Sequence, residues 1–122
     1  MSKLVVLISG VPGSGGDIIA GSLLECKKVK LWLHINPSID DSYEKTYVSF
    51  IDACEHNLAI AVTGPFLTKE DINPFIEIAT ALGYDIQQIL TKHTVESTDF
   101  APGEIKKMQL QLNERIIDWG IE

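Results

Sequence analysis

The chain has few basic residues for its length. Its 122 residues include 10 Lys and Arg against 17 Asp and Glu, a formal net charge of −7, and the sequence pI is near 4.8. Proteins that bind nucleic acid present a basic surface to its phosphates, so direct nucleic-acid binding is not expected here. An acidic surface instead serves solubility and permits contact with a basic protein partner.

Long apolar runs and metal-binding cysteine patterns are also missing. No run approaches the roughly 18–20 residues of a membrane span, and the first residues lack the apolar core of a signal peptide, so we expect a cytoplasmic protein without a membrane segment. Cys26 and Cys54 have neither metal-ligand spacing nor a disulfide framework, and we expect both to be buried free thiols. Because His34, His56 and His93 are scattered along the chain, no metal site is predicted.

The beginning of the chain carries its most informative pattern. An unbroken apolar run, Leu4–Ile8, predicts a strand buried on both faces. A glycine-rich stretch follows, and then Ile18–Leu24 has the apolar spacing of a helix. Strand, glycine loop and helix form the context of a phosphate-binding P-loop. Asp17 lies at the predicted helix start, where a carboxylate is favourable as a cap.

The remaining sequence continues to alternate between strand and helix patterns. Strands are predicted at Val29–Ile35, Leu58–Thr63 and Tyr84–Leu90, and helices at positions 40–55, 68–82 and from Pro102 onward. This alternation predicts one α/β domain over residues 1–122, with three layers and a parallel sheet of about four strands. The polar residues in Tyr84–Leu90 favour an edge position for that strand.

Turn and cap residues predict where the later helix begins and ends. Thr68 and Asp71 have the spacing of a capping pair, Pro74 suits the first helical turn, and Gly83 is expected just past the helix end. In open parallel sheets, ligands bind beyond the carboxyl ends of the strands. Three loops fall at that edge: Gly10–Asp17, Thr63–Thr68 and Thr91–Ala101.

Three stretches together resemble the P-loop kinases of the polynucleotide-kinase-like group. Ile8–Gly15 is similar to their phosphate loop up to its lysine, Leu58–Gln88 resembles their strand, turn and helix with a closing Gly-Tyr, and Pro102–Met108 resembles their final helix. The resemblance covers nearly the whole chain and implies a strand order of 2-3-1-4. It also implies a phosphate loop, here in vestigial form, made of Gly10, Gly13, Ser14, Gly15, Gly16 and Asp17.

The sequence departs from that family at each position that carries charge chemistry. Gly16 replaces the P-loop lysine, and Asp17 replaces the hydroxyl residue that would hold magnesium. Thr63 begins a Thr-Gly-Pro-Phe segment where the family has Asp-Asn-Thr-Asn. The segment after Leu90 lacks arginine, which leaves Lys92 and His93 as the candidate lid cations. Phosphoryl transfer depends on positioned positive charge and metal, so these combined losses predict a protein without catalytic residues.

Three functional hypotheses follow. The first is a non-catalytic kinase-like scaffold, a pseudo-kinase without a cofactor, that acts through contact with a protein partner. The second is an atypical nucleotide-binding or kinase-like enzyme that uses ATP and magnesium, with Asp17 as the magnesium ligand and Lys92 or a partner's arginine as the missing cation. The third is a small acidic inhibitor of a basic nucleic-acid enzyme, encoded by a phage. Trp32, Phe66 and Trp119 are candidate contact residues, with core packing as the alternative for each.

Overall fold

The apolar first strand lies inside a four-stranded, all-parallel sheet. The computed structural model describes residues 3–10, 16–36 and 39–91, together with positions 108 and 110. Its strands are β1 (Leu4–Ser9), β2 (Leu31–His34), β3 (Ile60–Gly64) and β4 (Asp85–Leu90), and its helices are α1 (Gly16–Glu25), α2 (Ser42–Glu55) and α3 (Lys69–Ala81). The strand order is β2-β3-β1-β4, which confirms the predicted order and the α/β class.

Side chains from β1 reach two separate cores. Val5 and Leu7 pack with residues of α2 and α3 on one face of the sheet. Val6 and Ile8 pack with Ala20 of α1 on the other face. The strand therefore needs apolar residues at consecutive positions. Because helices cover both faces of the sheet, the predicted three-layer arrangement is confirmed. The edge position predicted for the fourth strand is also confirmed, since Asp85, Gln87 and Gln88 are exposed.

The second strand is shorter than its sequence pattern indicates. Alternation places Val29, Leu31, Leu33 and Ile35 on one predicted face. In the structure Leu31, Leu33 and Ile35 pack on the side of α2 and α3, whereas Val29 packs on the side of α1. The prediction for Val29 is wrong because β2 begins at Leu31, so the strand's alternation does not extend back to Val29.

The ends of α3 agree with the cap residues, but the proline position does not. The Thr68 hydroxyl accepts a bond from the Asp71 backbone N–H, and the Asp71 carboxylate accepts one from the Thr68 N–H, which forms a capping box. Gly83 follows the helix with φ of +80°, as expected for a residue in the left-handed region. Pro74 lies inside the helix and not in its first turn, because the capping box starts the helix at Lys69.

The two cysteines lie in different environments. Cys54 is buried and Cys26 is exposed, so the expectation of burial is confirmed for Cys54 and wrong for Cys26. Cys26 follows the last turn of α1, at the surface. Burial raises the pKa of the Cys54 thiol to about 11, which leaves very little thiolate at neutral pH.

We expect the two thiols to react at very different rates in the native protein. A maleimide reagent at pH 8 should modify Cys26 rapidly and Cys54 more than about a hundredfold more slowly, because the thiolate is the reactive form. Mass spectrometry over time counts the adducts, and the Cys26→Ser variant isolates the slow site. Equal modification of both thiols under native conditions would contradict the buried position of Cys54.

Most of the final helix predicted from Pro102 lies outside the described residues, but the two described positions within it, Met108 and Leu110, are helical. The candidate contact residue Trp119 lies outside the described residues. Each helix in the described part of the chain falls short of the length and apolarity that crossing a bilayer requires.

Candidate functional site

The candidate site lies at the carboxyl edge of the sheet, between β1 and β3. The chain leaves β1 toward α1 on one face and leaves β3 toward α3 on the other, and the crevice at such a switch point is where ligands bind in α/β sheets. The Gly10 N–H donates to the Gly64 carbonyl at 3.1 Å, and the Thr91 N–H donates to the Ser9 carbonyl at 2.9 Å. These bonds hold the strand ends together beneath the crevice.

The hydroxyl of Thr63 is a buried polar group of this edge with several hydrogen-bond partners. Thr63 is 3% exposed, and it lies beside His34 in the strand register. Its Oγ1 accepts a hydrogen bond from Trp32 Nε1 at 2.9 Å and lies 2.7 Å from His34 Nδ1. The Leu33 carbonyl is a further acceptor at 3.5 Å.

The Thr63 hydroxyl, the Trp32 indole and His34 Nδ1 each have a hydrogen-bond partner in either protonation state of Nδ1. When His34 Nδ1 lacks a proton, the Thr63 hydroxyl donates to it while accepting from the Trp32 indole. When Nδ1 carries a proton, the hydroxyl accepts both bonds and its own proton turns to the Leu33 carbonyl. In either state the hydroxyl is occupied by protein partners, so it is poorly placed to bind a metal ion.

Asp17 reaches the same histidine from the first turn of α1. Its Oδ1 lies 3.9 Å from His34 Nδ1, with side-chain exposures of 70% for Asp17 and 49% for His34. A Ser-His-Asp relay needs the acid and the hydroxyl on different ring nitrogens. Because Asp17 and Thr63 both face Nδ1, these three residues do not form such a relay.

The beginning of α1 differs in one respect from the sequence prediction. Gly16 is the first helical residue and Asp17 the second. Asp17 therefore lies within the first turn and not at the capping position. Its negative charge there interacts favourably with the helix dipole. A Cβ atom added at Gly16 would lie 3.3 Å from Ile8 Cγ2 and 3.8 Å from Thr63 Cγ2. The backbone at Gly16 therefore packs closely onto the strand ends.

Several predicted site residues lie outside the described part of the chain. They are the loop residues Gly13, Ser14 and Gly15 and the candidate lid cations Lys92 and His93. Of the predicted vestigial phosphate loop, the structure places Gly10 after β1 and Gly16 and Asp17 at the start of α1. A P-loop-like backbone between Gly10 and Gly16 stays a prediction.

Sequence reasoning missed Trp32 and His34 as members of this site. Their alternation in β2 places both on the α1 side, but the register that sets them beside Thr63 is a property of strand pairing and is not visible in the sequence. Trp32 is half-buried and uses its indole N–H within the site. Phe66, the second candidate contact residue, is 2% exposed and belongs to the core.

Among the described residues, this edge of the sheet offers few groups to a magnesium–nucleotide complex. Among the residues that the structure describes, no group of three or more His, Cys, Asp and Glu side chains is placed to hold a metal. Asp17 offers one exposed carboxylate, and the Thr63 hydroxyl is already bonded. The donor groups of the described residues therefore fit this cofactor poorly.

Removing the Thr63 hydroxyl should destabilise the protein through its partners. Thr63→Val keeps the shape but leaves the Trp32 N–H without its acceptor, and we expect a loss of about 1–2 kcal/mol in the free energy of unfolding. Urea denaturation measures this loss. In a Trp32→Phe background the same substitution should cost less, and an equal cost in both backgrounds would show that the bond contributes nothing.

Neutralising Asp17 should have little effect on stability. Asp17 is largely exposed, and the change to Asn removes only a favourable charge near a helix start, typically worth less than ~1 kcal/mol. Thermal unfolding of Asp17→Asn at low and high salt tests this, since the small difference should shrink as salt is added. A variant that does not fold would reveal a buried partner for this carboxylate.

Comparison with known proteins supports the fold and goes no further. No protein-family model matches the chain, and no curated protein matches it. A chain in the solved structure of the Pnkp1/Rnl/Hen1 RNA repair complex is similar, with a TM-score of 0.73 and 14% sequence identity. The similarity covers 94% of this chain but 45% of that one, so this chain spans less than half the length of its neighbour.

Proposed function

We propose that this protein is a non-catalytic member of the kinase-like P-loop fold and that it acts through contact with a protein partner. One observation carries the proposal. At the strand end where a kinase of this kind would present a metal-binding carboxylate, the chain has Thr63, whose buried hydroxyl is bonded to Trp32 and lies 2.7 Å from His34 Nδ1.

The charges around this position oppose phosphate binding. An Asp17 carboxylate ~4 Å from a phosphate would cost about 4 kcal/mol for each charge pair at an effective dielectric near 20. Backbone N–H groups at a helix start would offset part of this repulsion. His34 is a candidate cation at this edge, but it faces Asp17 and Thr63. Phosphoryl transfer relies on positioned positive charge, which this arrangement does not supply.

Two observations support a protein partner. The similar solved chain comes from the Pnkp1/Rnl/Hen1 RNA repair complex, so a protein of this fold occurs in an assembly with other proteins. The formal charge of −7 favours association with a basic surface through long-range attraction. An acidic inhibitor of a basic nucleic-acid enzyme is one form that such a contact would take.

Calorimetric titration with MgATP tests the non-catalytic proposal at the level of binding. We expect no saturable heat at nucleotide concentrations up to about 1 mM, a limit that corresponds to a binding free energy weaker than about −4 kcal/mol. Micromolar affinity that is lost in the Asp17→Ala variant would overturn the proposal. That result would favour the alternative in which Asp17 binds magnesium.

A further inference from the structure

A separate cavity lies beside the candidate site, at the same edge of the sheet. Its volume is about 330 Å³, and it opens between the connection from β2 to α2 and the connection from β3 to α3. Its walls combine apolar and acidic side chains, among them Ile35, Tyr43, Pro65, Phe66, Asp40 and Asp71. This size is at the lower end for small-ligand pockets.

The cavity has a negative electrostatic character. Asp40 and Asp71 line it, and none of the described lining residues is Lys, Arg or His. Lys45, on the first turns of α2, is held by Asp41 at 3.1 Å. The N-terminal ends of α2 and α3 each contribute roughly half a positive charge. Added to the two carboxylates, they leave about one net negative charge at the cavity. Burial, with a further contribution from Asp71, raises the pKa of Tyr43 to about 12.

The apolar wall is fixed in place by its packing. Phe66 has φ of +41°, a left-handed conformation that is strained for a bulky residue and that persists where surrounding structure enforces it. Its ring packs edge-on against Phe75 with the centroids 5.5 Å apart, and Tyr43 packs edge-on against the same ring at 5.6 Å. The Tyr43 hydroxyl also donates to the Asp71 carbonyl. The wall is therefore formed before any ligand arrives.

We propose that this cavity binds an arginine side chain of a basic partner protein. A guanidinium group offers one positive charge and several N–H donors to the carboxylates of Asp40 and Asp71. Its alkyl stem suits the wall of Ile35, Pro65 and Phe66, and its flat face suits the Tyr43 ring. The same carboxylates repel phosphate groups, which excludes nucleotides and nucleic acid as occupants.

This inference rests on the proposed protein-contact function and gives that contact a location. A divalent metal is a poorer occupant, because the cavity has two carboxylates and the described residues hold no larger ligand group. The Asp71 carboxylate also accepts the Thr68 N–H, and a neutral apolar group would make no use of the negative charge that Asp40 and Asp71 bring to the cavity. The single net charge and the apolar wall together match a monovalent organic cation.

The test is an NMR titration of the ¹⁵N-labelled full chain with N-acetyl-arginine methylamide. We expect saturable shifts of backbone signals at the cavity, including Ile39 and Leu67. N-acetyl-citrulline methylamide has nearly the same shape without the charge, and it should bind at least about tenfold more weakly. The proposal would be overturned if the two probes bound equally well, or if about a 20-fold molar excess of the arginine probe caused no shifts at the cavity.

A pair of charge-matched variants makes the location specific. Asp40→Asn removes an exposed carboxylate that has no hydrogen bond or ion pair among the described residues. This change should weaken binding of the arginine probe about threefold. Asp85→Asn makes the same change at the start of β4, at the opposite edge of the sheet, and it should leave the affinity unchanged. Equal effects of both variants would indicate a general charge effect and contradict the cavity site.

The two proposals fail in different ways. If the arginine probe does not bind and MgATP does not bind either, the cavity site is wrong and the non-catalytic proposal stands. If MgATP binds with micromolar affinity, the non-catalytic proposal is wrong whatever the cavity binds.

Discussion

Replacing Phe75 with alanine should destabilise the protein by about 3–5 kcal/mol, the range for removing a fully buried phenylalanine. Phe75 is 0% exposed. Four rings pack edge-on around it, those of Tyr43, Tyr47, Phe50 and Phe66, with centroid separations of 5.6, 5.2, 4.9 and 5.5 Å. Each aromatic pair adds roughly 0.5–1.5 kcal/mol beyond its buried area, and all four pairs lose their shared member in the variant.

This loss is large compared with the roughly 5–15 kcal/mol that stabilises a typical domain. Urea denaturation followed by circular dichroism measures it, and Phe75→Leu provides a milder variant if the alanine protein does not fold. Ile18→Ala is the matched control, because Ile18 is 75% exposed and its removal should change stability by about 0.5 kcal/mol or less. Similar losses for Phe75→Ala and Ile18→Ala would contradict the aromatic core.

Introducing the lysine and hydroxyl residue of a P-loop should raise nucleotide affinity strongly. The double variant Gly16→Lys with Asp17→Ser removes a carboxylate beside the expected phosphate position and adds an ammonium group. Each change alters a charge–charge interaction with the phosphate that is worth about 4 kcal/mol at ~4 Å and an effective dielectric near 20. Because solvent screens part of this energy, we expect the affinity for MgATP to rise by at least about a hundredfold. A side chain at position 16 must displace Ile8 Cγ2 slightly, since its Cβ would lie 3.3 Å away.

The double variant should still transfer phosphate poorly. Thr63 stays in place of a carboxylate, and the sequence between Tyr84 and Ala101 contains no arginine, a residue that can contribute about 10³–10⁵ in rate. Gly21→Lys is the control for the added charge, because Gly21 lies on the same helix with open space around its Cβ position. An equal gain in affinity from Gly21→Lys would show that general charge, and not a phosphate loop, binds the nucleotide.

The sheet could be predicted from the sequence because its signals are local. Leu4–Ile8 is apolar at every position, as expected for a strand buried on both faces, and the structure confirms a strand inside the sheet. The ends of α3 could be predicted from Thr68, Asp71 and Gly83, because helix capping depends on residues close together in the sequence. The position of Pro74 was wrong because a proline alone does not distinguish the first turn from a later one.

The candidate site was less predictable because it depends on pairing between distant segments. Trp32 and His34 meet Thr63 through the register of β2 with β3, and a shift of one residue would turn both to the other face. The exposure of Cys26 likewise depends on where α1 ends relative to the surface. The cavity between the β2–α2 and β3–α3 connections has no local sequence signal at all.

The most direct test of the central claim is a phosphoryl-transfer assay with γ-labelled ATP and magnesium. The acceptors are oligonucleotides with a free 5′-hydroxyl group and nucleoside monophosphates, and the Asp17→Ala variant runs alongside. If the protein is non-catalytic, as we propose, no labelled product should form above that of the variant, even at protein concentrations near that of ATP. Labelled product that accumulates over many turnovers and disappears in Asp17→Ala would contradict the proposal.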